Sequence, residues 1–386
     1  MSRSRIWVAS QRPLLCVGGI ETFVVRLRQE LPEVNVLEPR RPTGSPDSGS
    51  VELNVAKHGP SSLSFTLSLW WWLIRHRRDI DRLLVNRVEH AVAPILAGLG
   101  RRTIVAVHGS SAYAPLFFSA RGALLQKILE RAAVSFCREL AVLMGEGPNG
   151  MPYYRATYTR ASNVRSRKVI VPTLPDLAGV PTLENLSLCY VGRIEEPVKR
   201  VTALAYLSKC LSDVGVKHEI FVFGAGPDED LLKTTVANVG AQANIILRKL
   251  NSIADLPAGL HLGVVCSRFE GMCMAALELI AAGLPVVSTD VGDMKQYAQW
   301  GPVEVVAVAP SASSQQCGEA LAAHILTMWP RLPTYYQKRK ASASHVMREF
   351  YDEAILSWRD ALGLDPQTDQ PIVADGGLSA KARPTG

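Results

Sequence analysis

The chain has 386 residues, 47% of them hydrophobic, and its formal net charge is +7. A chain of this length exceeds one ordinary hydrophobic core and predicts two domains plus tails. No run of about 18 apolar residues occurs, which disfavours a membrane-spanning helix. The seven cysteines are odd in number and form no C-x-x-C pair. They argue against a disulfide framework or a zinc site and indicate reduced thiols in a cytoplasm.

The positive charge is concentrated in the first part of the chain. Residues 1–180 hold 24 Lys and Arg against 13 Asp and Glu, a net charge of +11. Residues 181–386 hold 18 against 22, a net charge of −4. This division predicts two modules with different partners. A basic excess suits nucleic acid, phosphorylated ligands or an anionic membrane surface, but the sequence has no recognisable DNA-reading helix or zinc motif.

Short apolar runs alternate with helical patterns along the chain. Residues 5–10 predict a first strand rather than a signal peptide, because polar residues soon interrupt the apolar stretch, and residues 18–31 predict the next helix. The other predicted strands are 34–39, 82–87, 103–109, 186–193, 219–226, 244–250, 262–267 and 284–289. This alternation is typical of parallel, doubly wound sheets. Such sheets bind ligands beyond the carboxyl ends of their strands, so two of them predict a site in the cleft between domains.

The Pro-rich segment 173–186 predicts the boundary between the two domains. We expect an N-terminal domain over 1–178 and a C-terminal domain over 179–344. An amphipathic pattern predicts a final helix over 345–363, and we expect it to pack back toward the N-terminal domain. The polar, Pro- and Gly-rich residues 364–386 predict a flexible tail.

The segment "SRFEGMCMAALELIAAGLPVVSTD", residues 267–290, places Glu270 and Glu278 among apolar residues. It predicts a turn after a buried strand and then a helix that ends at Gly283, before Pro285. Free N–H groups at the start of this helix would form an anion site suited to phosphate. A buried carboxylate needs a partner, which sugar hydroxyls could supply. Taken alone, an exposed loop glutamate and a solvated helix glutamate are the more common explanation.

Two further turns follow predicted strands of the second half of the chain. In "YVGRIEEPVKRV" a predicted strand ends at Gly192, which allows close ligand approach. Arg193 and Lys199 can jointly neutralise a diphosphate, and the alternative is a basic surface turn. The turn in "VFGAGPDEDLL" favours a structural role, because Glu229 stands where a dinucleotide fingerprint needs glycine.

Candidate residues in the first half are fewer. Gly18 and Gly19 follow the first predicted strand and precede a helix. Adjacent glycines there allow the backbone to approach an anionic or sugar group, although a simple tight turn explains them nearly as well. His108 stands at the carboxyl end of a predicted strand. A structural hydrogen-bonding role and a ligand-binding role are equally supported for it.

Together these motifs resemble those of the large retaining GT-B glycosyltransferase family (glycosyl transferases group 1), which is marked by an E-x7-E element. The resemblance is strongest over 186–310, where the three quoted segments occur in the family's order. It is looser over 1–180, where it rests on "VGGIETFV" and "VAVHGSS". The resemblance implies an α/β fold of GT-B architecture, with two doubly wound, Rossmann-like parallel-sheet domains facing a central cleft. The N-terminal domain would bind the acceptor and the C-terminal domain the nucleotide sugar.

The resemblance also implies roles for individual residues. Arg193 and Lys199 would bind the donor diphosphate, and Glu270 would hold hydroxyls of the donor sugar, so that these three carry catalysis. Glu278 would hold the nucleotide ribose, and His108 would lie near the transferred sugar. The remaining expected contacts to the donor come from loop backbone, at Gly18, Gly19, Gly192, Gly271, Met272, Cys273 and residues 248–250.

The sequence departs from the family's pattern in three places. Met272 and Cys273 replace the usual Phe-Gly, Asp293 stands where small residues are usual, and an Asn-Gly is missing near the interdomain linker. These differences bear on donor choice more than on activity. The family's chemistry is retention by front-face attack, in which the enzyme stabilises the departing diphosphate and supplies no nucleophile. No Asp-x-Asp stands at a strand end, so we expect no metal and no cofactor, only a UDP- or GDP-sugar donor.

A second unusual segment, residues 63–81, carries three consecutive tryptophans followed by three arginines, namely Trp70, Trp71, Trp72, Arg75, Arg77 and Arg78. Aromatic rings beside arginines suit the headgroup region of a bilayer. Consecutive helical residues point in different directions, so at least one tryptophan is expected in the core. A core helix with a basic end is therefore the alternative. The basic N-terminal half favours contact with an anionic membrane surface.

The leading hypothesis is a retaining, metal-independent hexosyltransferase. We expect it to extend a lipid-linked exopolysaccharide or lipopolysaccharide glycan at the inner face of the cytoplasmic membrane. The alternative is a non-catalytic nucleotide-sugar-binding scaffold on the same fold. The joint presence of Arg193, Lys199, Glu270 and Glu278 argues against that alternative. The donor base, the sugar, the acceptor and the oligomeric state stay open.

Overall fold

The computed structural model describes residues 5–12, 19–39, 50–53, 62–108, 119–143, 145, 150–171, 185–250 and 253–364. Two parallel sheets are formed within them, which confirms the predicted pair of doubly wound domains. The first sheet contains β1 (Ile6–Ala9), β2 (Val34–Pro39), β3 (Ser50–Leu53), β4 (Arg82–Val85), β5 (Thr103–Val107), β6 (Glu139–Val142) and β7 (Val164–Ser166). The second contains β8 (Leu186–Val191), β9 (His218–Phe223), β10 (Ile245–Arg248), β11 (Leu262–Val265), β12 (Val286–Thr289) and β13 (Val303–Val306).

The two sheets share one strand order. The first runs β3-β2-β1-β4-β5-β6-β7 and the second β10-β9-β8-β11-β12-β13. In both, the chain starts in the middle of the sheet, builds outward to one side and then crosses to the other. The switch lies between β1 and β4 in the first sheet and between β8 and β11 in the second, and ligands bind at such points in open α/β sheets.

Helices separate most of the strands. The described helices of the N-terminal part are α1 (Gly19–Glu30), α2 (Ser62–His76), α3 (Val92–Leu96), α4 (Ala120–Phe136) and α5 (Met151–Thr157). Those that follow are α6 (Glu196–Lys199), α7 (Ala203–Asp213), α8 (Glu229–Asn238), α9 (Met274–Ala281), α10 (Met294–Trp300), α11 (Ser314–Met328) and α12 (Leu332–Leu362).

Strand β5 shows why these short runs form buried strands. All five of its residues are buried. Ile104 and Ala106 belong to the apolar cluster that contains residues of α1 and α12, whereas Val105 and Val107 belong to the cluster that contains residues of α2. Successive strand residues point to opposite faces, so helices cover both faces and the strand reads as a continuous apolar run.

Helix α12 connects the two domains. It begins at Leu332, thirteen residues before the start predicted from the sequence, and has 31 residues. Near its end the buried Trp358 packs against the Phe23 ring of α1, with centroids 5.3 Å apart, and donates from Nε1 to the Lys168 carbonyl at 2.9 Å. Arg167 donates to the Ser357 carbonyl at 2.7 Å. The helix therefore follows the C-terminal sheet in sequence and contacts the N-terminal domain in space.

Four strands were not predicted from the sequence, namely β3, β6, β7 and β13. Each has three or four residues, and all four contain an acidic or basic side chain. Strand β6 begins with the buried Glu139, which pairs with Arg167 at 2.7 Å. A buried carboxylate is tolerated there because the guanidinium compensates its lost hydration, and an apolar pattern cannot reveal that.

None of the described helices is both long and apolar enough to cross a lipid bilayer. The six described cysteines are free thiols. Gly18, most of the predicted domain boundary and nearly all of the predicted tail lie outside the described residues.

Candidate functional site

Lys199 and Glu270 meet at the carboxyl edge of the second sheet. Lys199 ends α6, which follows β8, and Glu270 lies in the loop after the neighbouring strand β11. The Lys199 Nζ is 2.6 Å from Glu270 Oε1, and the same oxygen accepts a 2.6 Å hydrogen bond from the Ser267 hydroxyl. Burial works to lower the pKa of Lys199, but the adjacent Glu270 outweighs it. The pKa of Lys199 is therefore raised and the ammonium persists.

Backbone contacts hold this pair in place. Arg200, directly after Lys199, has a left-handed φ of 51°. Its buried guanidinium donates from Nη2 to the Pro310 carbonyl at 3.0 Å. The N–H of Arg268 donates to the Val198 carbonyl at 2.8 Å, which ties the loop after β11 to α6. The lysine and the glutamate are thus brought together by two loops that are bonded to each other.

Arg193 lies near this pair but has a partner of its own. Its Nη2 is 2.8 Å from Glu195 Oε2, and its side chain is 58% exposed. The Tyr190 hydroxyl donates to the Arg193 carbonyl at 2.7 Å. The positive charge of Arg193 acts against the raised pKa of Lys199, so the two cations are close enough to interact. An exposed arginine with a single surface partner can turn toward an anionic ligand at little cost.

The glycine turn after β9 packs closely against the backbone of the turn after β8. A Cβ at Gly224 would lie 1.9 Å from the Gly192 carbonyl oxygen, and one at Gly226 would lie 2.1 Å from the Ile194 carbonyl oxygen. These contacts agree with a structural role for the turn. The Gly224 N–H also donates to the Arg248 carbonyl at 3.2 Å, so this carbonyl is occupied within the protein.

The loop before α9 has unsatisfied backbone donors. Among the described residues, no protein acceptor takes the N–H groups of Gly271, Met272 or Cys273. The Met272 carbonyl accepts a 2.7 Å hydrogen bond from the Tyr297 hydroxyl, and Cys273 has a left-handed φ of 41°. Burial, with a further contribution from Glu270, raises the pKa of the Cys273 thiol, which is therefore neutral. Free N–H groups beside a helix start form an anion site.

Gly292 and Asp293 follow β12, and Gly292 packs closely against this loop. Gly292 has a φ of +52°, and a Cβ there would lie 2.0 Å from the Gly271 carbonyl oxygen, so only glycine fits. The next residue, the buried Asp293, accepts a 2.8 Å hydrogen bond from the N–H of Gly145 in the N-terminal domain. The departure from the family pattern at Asp293 thus contributes a contact between the domains.

Glu278 has a protein partner that was not predicted. Its Oε1 accepts a hydrogen bond from Nη2 of Arg26, which lies on α1 of the N-terminal domain. Both side chains are largely buried. Burial raises the pKa of Glu278, and Arg26 offsets part of this increase. The expectation that sugar hydroxyls alone compensate this carboxylate was therefore incomplete.

His108 lies at the end of β5 in the N-terminal domain. Its Nε2 is 3.4 Å from Asn86 Oδ1, and its ring meets the Phe23 ring edge-on at 5.4 Å. Burial, followed by the charge of Arg87, lowers the pKa of His108 to about 3. The imidazole is therefore neutral at physiological pH and can donate or accept a hydrogen bond without carrying charge.

Gly19 is the first residue of α1. A Cβ at this position would meet no atom within 4 Å. Packing within the described fold therefore does not require glycine at this position, and close approach of a ligand is the remaining functional explanation. Gly18 is not among the described residues.

Sequence reasoning missed Ser267, Arg26 and Asn86. Ser267 had a local signal, because it stands three residues before Glu270 in the same turn. Arg26 had none, because its partner lies 252 residues away. In the described part of the chain, no group of three or more His, Cys, Asp or Glu side chains is arranged to hold a metal ion.

The family model "Glycosyl transferases group 1" matches residues 185–329. A stretch of 70 residues is 31% identical to the GtfA subunit of the UDP-N-acetylglucosamine–peptide N-acetylglucosaminyltransferase of Streptococcus gordonii. This stretch spans 18% of the present chain and only 14% of that protein. The sequence similarity is thus confined to a part of each protein.

Solved structures extend the similarity to both domains. Sucrose-phosphate synthase from Thermosynechococcus elongatus superposes with a TM-score of 0.71 at 14% identity, over 93% of this chain and 96% of that one. WaaG, a glycosyltransferase involved in lipopolysaccharide biosynthesis, gives 0.69 at 15% identity over 93% and 100%. Anabaena HepE in complex with UDP and glucose gives 0.70 at 14% identity over 93% and 98%.

At such low identities the structural matches establish the fold, and the family model establishes the sequence relationship where it aligns. The chain therefore has the GT-B fold, and its residues 185–329 match the model of the glycosyl transferases group 1.

Proposed function

We propose that the protein is a retaining glycosyltransferase that moves a hexose from a nucleotide-diphosphate sugar to a glycan acceptor. The observation that carries this proposal is the partly buried Lys199–Glu270 pair, whose side chains are 20% and 10% exposed, with Ser267 on the same carboxylate oxygen. An exposed ion pair loses little hydration when it forms. A shielded ion pair loses much more, and that cost is offset only when its groups bind a ligand or are fully hydrogen-bonded. The pair stands at the strand edge where doubly wound sheets bind ligands.

In this proposal the donor lies along the loop Gly271–Cys273. Lys199, together with Arg193 after rotation away from Glu195, binds the diphosphate, and the free N–H groups of the loop add neutral donors to it. Glu270 accepts hydrogen bonds from sugar hydroxyls. Glu278, near the middle of α9, binds the ribose. From the N-terminal domain, Gly19 approaches the phosphates or the acceptor, and His108 lies near the transferred sugar.

Catalysis would then consist of stabilising the leaving group. The bond between the anomeric carbon and the diphosphate oxygen breaks, and the negative charge that develops on the diphosphate is met by Lys199 and Arg193. The acceptor hydroxyl attacks from the same face and passes its proton to the departing phosphate. No protein nucleophile and no metal are required in this scheme.

Transfer can be tested with a matched pair of variants. We expect Lys199→Ala and Glu270→Gln each to reduce transfer by about 100-fold or more, as loss of a preorganised charge contact does. The control is the exposed pair Lys233–Glu229 on α8, whose atoms are 2.7 Å apart in the same domain. Lys233→Ala and Glu229→Gln should leave transfer unchanged. Equal turnover of all four variants would remove the site assignment.

The donor can be identified by ligand-dependent stabilisation. Saturating nucleotide at about 100 times its Kd should stabilise the native state by about 2.7 kcal/mol. We expect UDP to raise the melting temperature more than GDP or ADP, because HepE was solved with UDP and GtfA uses a UDP-sugar. A sugar nucleotide that binds but is neither transferred nor hydrolysed would favour the alternative, a non-catalytic scaffold.

We further propose that the acceptor is carried on a lipid and that the enzyme works at the inner face of the cytoplasmic membrane. The supporting observation is an apolar stripe on α2. Leu63, Leu67, Trp71 and Ile74 are all exposed and recur at helical spacing on one side, with Leu63 at 70% and Trp71 at 52% exposure. The Arg75 guanidinium lies 4.1 Å from the Trp71 ring centroid.

Neighbouring helices also carry exposed apolar side chains. Helix α3 packs against both α2 and α4. Nine of the twelve exposed large hydrophobic side chains in the described residues lie on these three helices, a concentration that favours an interaction surface. The five beyond α2 are Leu96, Leu124, Leu125, Ile128 and Phe136. Helix α4 also carries the exposed basic residues Arg121, Lys127 and Arg131, which suits anionic headgroups.

The three tryptophans do not contribute equally to this surface. Trp72 packs edge-on against Trp7, with ring centroids 5.0 Å apart, and stacks on His76. Trp70 packs against the same core. Of the three, only Trp71 is exposed, so the proposed membrane contact narrows to Trp71 with its apolar neighbours and with Arg75, Arg77 and Arg78.

Vesicle sedimentation tests this surface. The protein should pellet with vesicles rich in phosphatidylglycerol but not with pure phosphatidylcholine, and roughly 0.5–1 M salt should release most of it. Leu67→Ser/Trp71→Ser should weaken pelleting, whereas Leu231→Ser, at an exposed leucine of α8, should not. Absence of pelleting at low salt, or equal pelleting of both variants, would contradict the membrane contact.

A further inference from the structure

Arg26 and Glu278 form a contact between domains that the donor-site roles above do not explain. Arg26 is on α1 of the N-terminal domain and Glu278 is on α9 of the C-terminal domain. Their side chains are only 11% and 13% exposed. Arg26 Nη2 donates to Glu278 Oε1, and Arg26 Nη1 lies 3.4 Å from the Ile170 carbonyl. The guanidinium is thus fixed on one side by backbone and on the other by the carboxylate.

The two oxygens of the Glu278 carboxylate differ. Oε1 is occupied by Arg26, whereas no described residue donates to Oε2, which is not a fully enclosed atom. A carboxylate held by one oxygen has its second oxygen in a defined direction. Burial raises the pKa of Glu278, and Arg26 offsets part of that rise by favouring the ionised form. An ionised, oriented oxygen is a strong acceptor for a hydroxyl.

We infer that Arg26 is a positioning residue for the donor nucleoside, supplied by the opposite domain. It directs Oε2 of Glu278 toward the ribose hydroxyls and does not itself touch the donor. This inference rests on the proposed function, because it takes the ribose to lie at Glu278. It adds that ribose recognition is complete only when the N-terminal domain is docked, since half of the recognising pair comes from that domain.

There are two alternatives. The pair could be a purely structural bridge between the domains, or Arg26 could block Glu278 until the donor binds. A structural bridge would affect stability and all ligands alike. A blocking arginine would weaken nucleotide binding, so its removal would tighten that binding. A positioning arginine affects only the part of the ligand that Glu278 recognises. The three roles therefore predict different results with ligands that differ at the ribose.

The probes are UDP, 2′,3′-dideoxy-UDP and inorganic pyrophosphate, measured by titration calorimetry. If GDP or ADP binds the wild type more tightly, that nucleotide and its dideoxy form replace the UDP pair. We expect the wild type to prefer the ribonucleotide about 10- to 100-fold, as for hydrogen bonds to a charged group. Arg26→Gln should bring this ratio close to one, and Arg26→Lys should restore part of it. Pyrophosphate affinity should stay constant in all of them.

Arg28→Gln is the matched control, because Arg28 is on the same helix and its Nη1 donates to the Ser50 hydroxyl at 2.9 Å. It should retain the wild-type ratio. An unchanged ratio in Arg26→Gln, tighter ribonucleotide binding, or an equal loss for pyrophosphate would overturn the inference alone. A wild type that binds none of the nucleotides would overturn the proposed function together with it.

Discussion

The two domains share a strand order but differ in how their polar groups are held. In the C-terminal domain, Lys199 and Ser267 both donate to the same oxygen of Glu270 at one sheet edge. In the N-terminal domain, Arg26 and the N–H of Gly145 bond to Glu278 and Asp293 of the other domain, whereas His108 is paired with Asn86 of its own domain. The Lys199–Glu270–Ser267 cluster is therefore held within the C-terminal domain, whereas the contacts of Arg26 and Gly145 require both domains.

This difference gives the domains different sensitivities. A change in the C-terminal domain should act through the geometry of its loops. A change in the N-terminal domain should act through docking, or through the burial of neutral polar groups such as His90 and His108.

Docking is tested most strongly at Trp358. This side chain is fully buried and contacts Phe23 and the Lys168 carbonyl of the N-terminal domain. Trp358→Ala should lower the free energy of unfolding by about 3–5 kcal/mol, because it leaves a large cavity at the domain contact. Leu356→Ala is the control, since Leu356 is 62% exposed on the same helix. Urea unfolding measures both, and equal midpoints would contradict docking through α12.

Acid should weaken the N-terminal domain through His90. The Thr66 hydroxyl donates to the Ser62 carbonyl at 2.7 Å, so His90 Nδ1, 2.9 Å from that hydroxyl, must be the donor. Nε2 has no partner and is buried. A second proton there would be buried without an acceptor, and burial accordingly lowers the pKa of His90 to about 4.

The direction of this pH dependence follows from the proton binding of His90 in the folded and unfolded states. The unfolded chain, with a histidine pKa near 6.5, binds more protons than the folded one. The stabilisation is therefore complete above about pH 6.5 and is lost as pH falls toward 4, at up to about 1.4 kcal/mol per pH unit. His90→Gln should reduce the slope of unfolding free energy between pH 6.5 and 4.5, measured in urea. An unchanged slope would show that His90 does not titrate as inferred.

Gly292→Ala tests the loop geometry of the C-terminal domain. The added Cβ would collide with the Gly271 carbonyl and would occupy a left-handed φ. We expect about 1–3 kcal/mol of destabilisation together with weaker UDP binding, since the loop that presents free N–H groups must move. Thermal unfolding and calorimetric titration measure the two effects. A destabilised variant with unchanged UDP affinity would separate this loop from the donor.

Gly19→Ala is the counterpart in the N-terminal domain and should have the smallest effect on stability. The methyl group meets no atom and lies at the start of a helix, so stability should stay within about 1 kcal/mol of the wild type. If ligand approaches the backbone there, the donor or acceptor KM should rise although the fold is unaffected. An unchanged KM would reduce this glycine to a simple turn residue.

The sequence predicted the parts of this molecule whose causes are local. The two doubly wound sheets followed from apolar runs, and Lys199 and Glu270 stood out because their turns carry polar residues at strand ends. The Arg26–Glu278 and Glu139–Arg167 pairs could not be predicted, because each joins residues far apart in the chain. The start of α12 at Leu332 was also missed, since no apolar periodicity distinguishes its first turns. Which of the three tryptophans is exposed could not be predicted either, because it depends on how α2 packs on the sheet.

Helix α12 has a consequence for how the protein is made. During synthesis the N-terminal sheet leaves the ribosome first, but the surface around Phe23 that Trp358 covers stays open until the last described helix has been translated. Domains generally fold as they emerge, and uncovered apolar surface promotes aggregation. The N-terminal domain must therefore wait, partly uncovered, while the whole C-terminal domain is synthesised. Truncation within α12 should thus harm the half of the protein that was translated first.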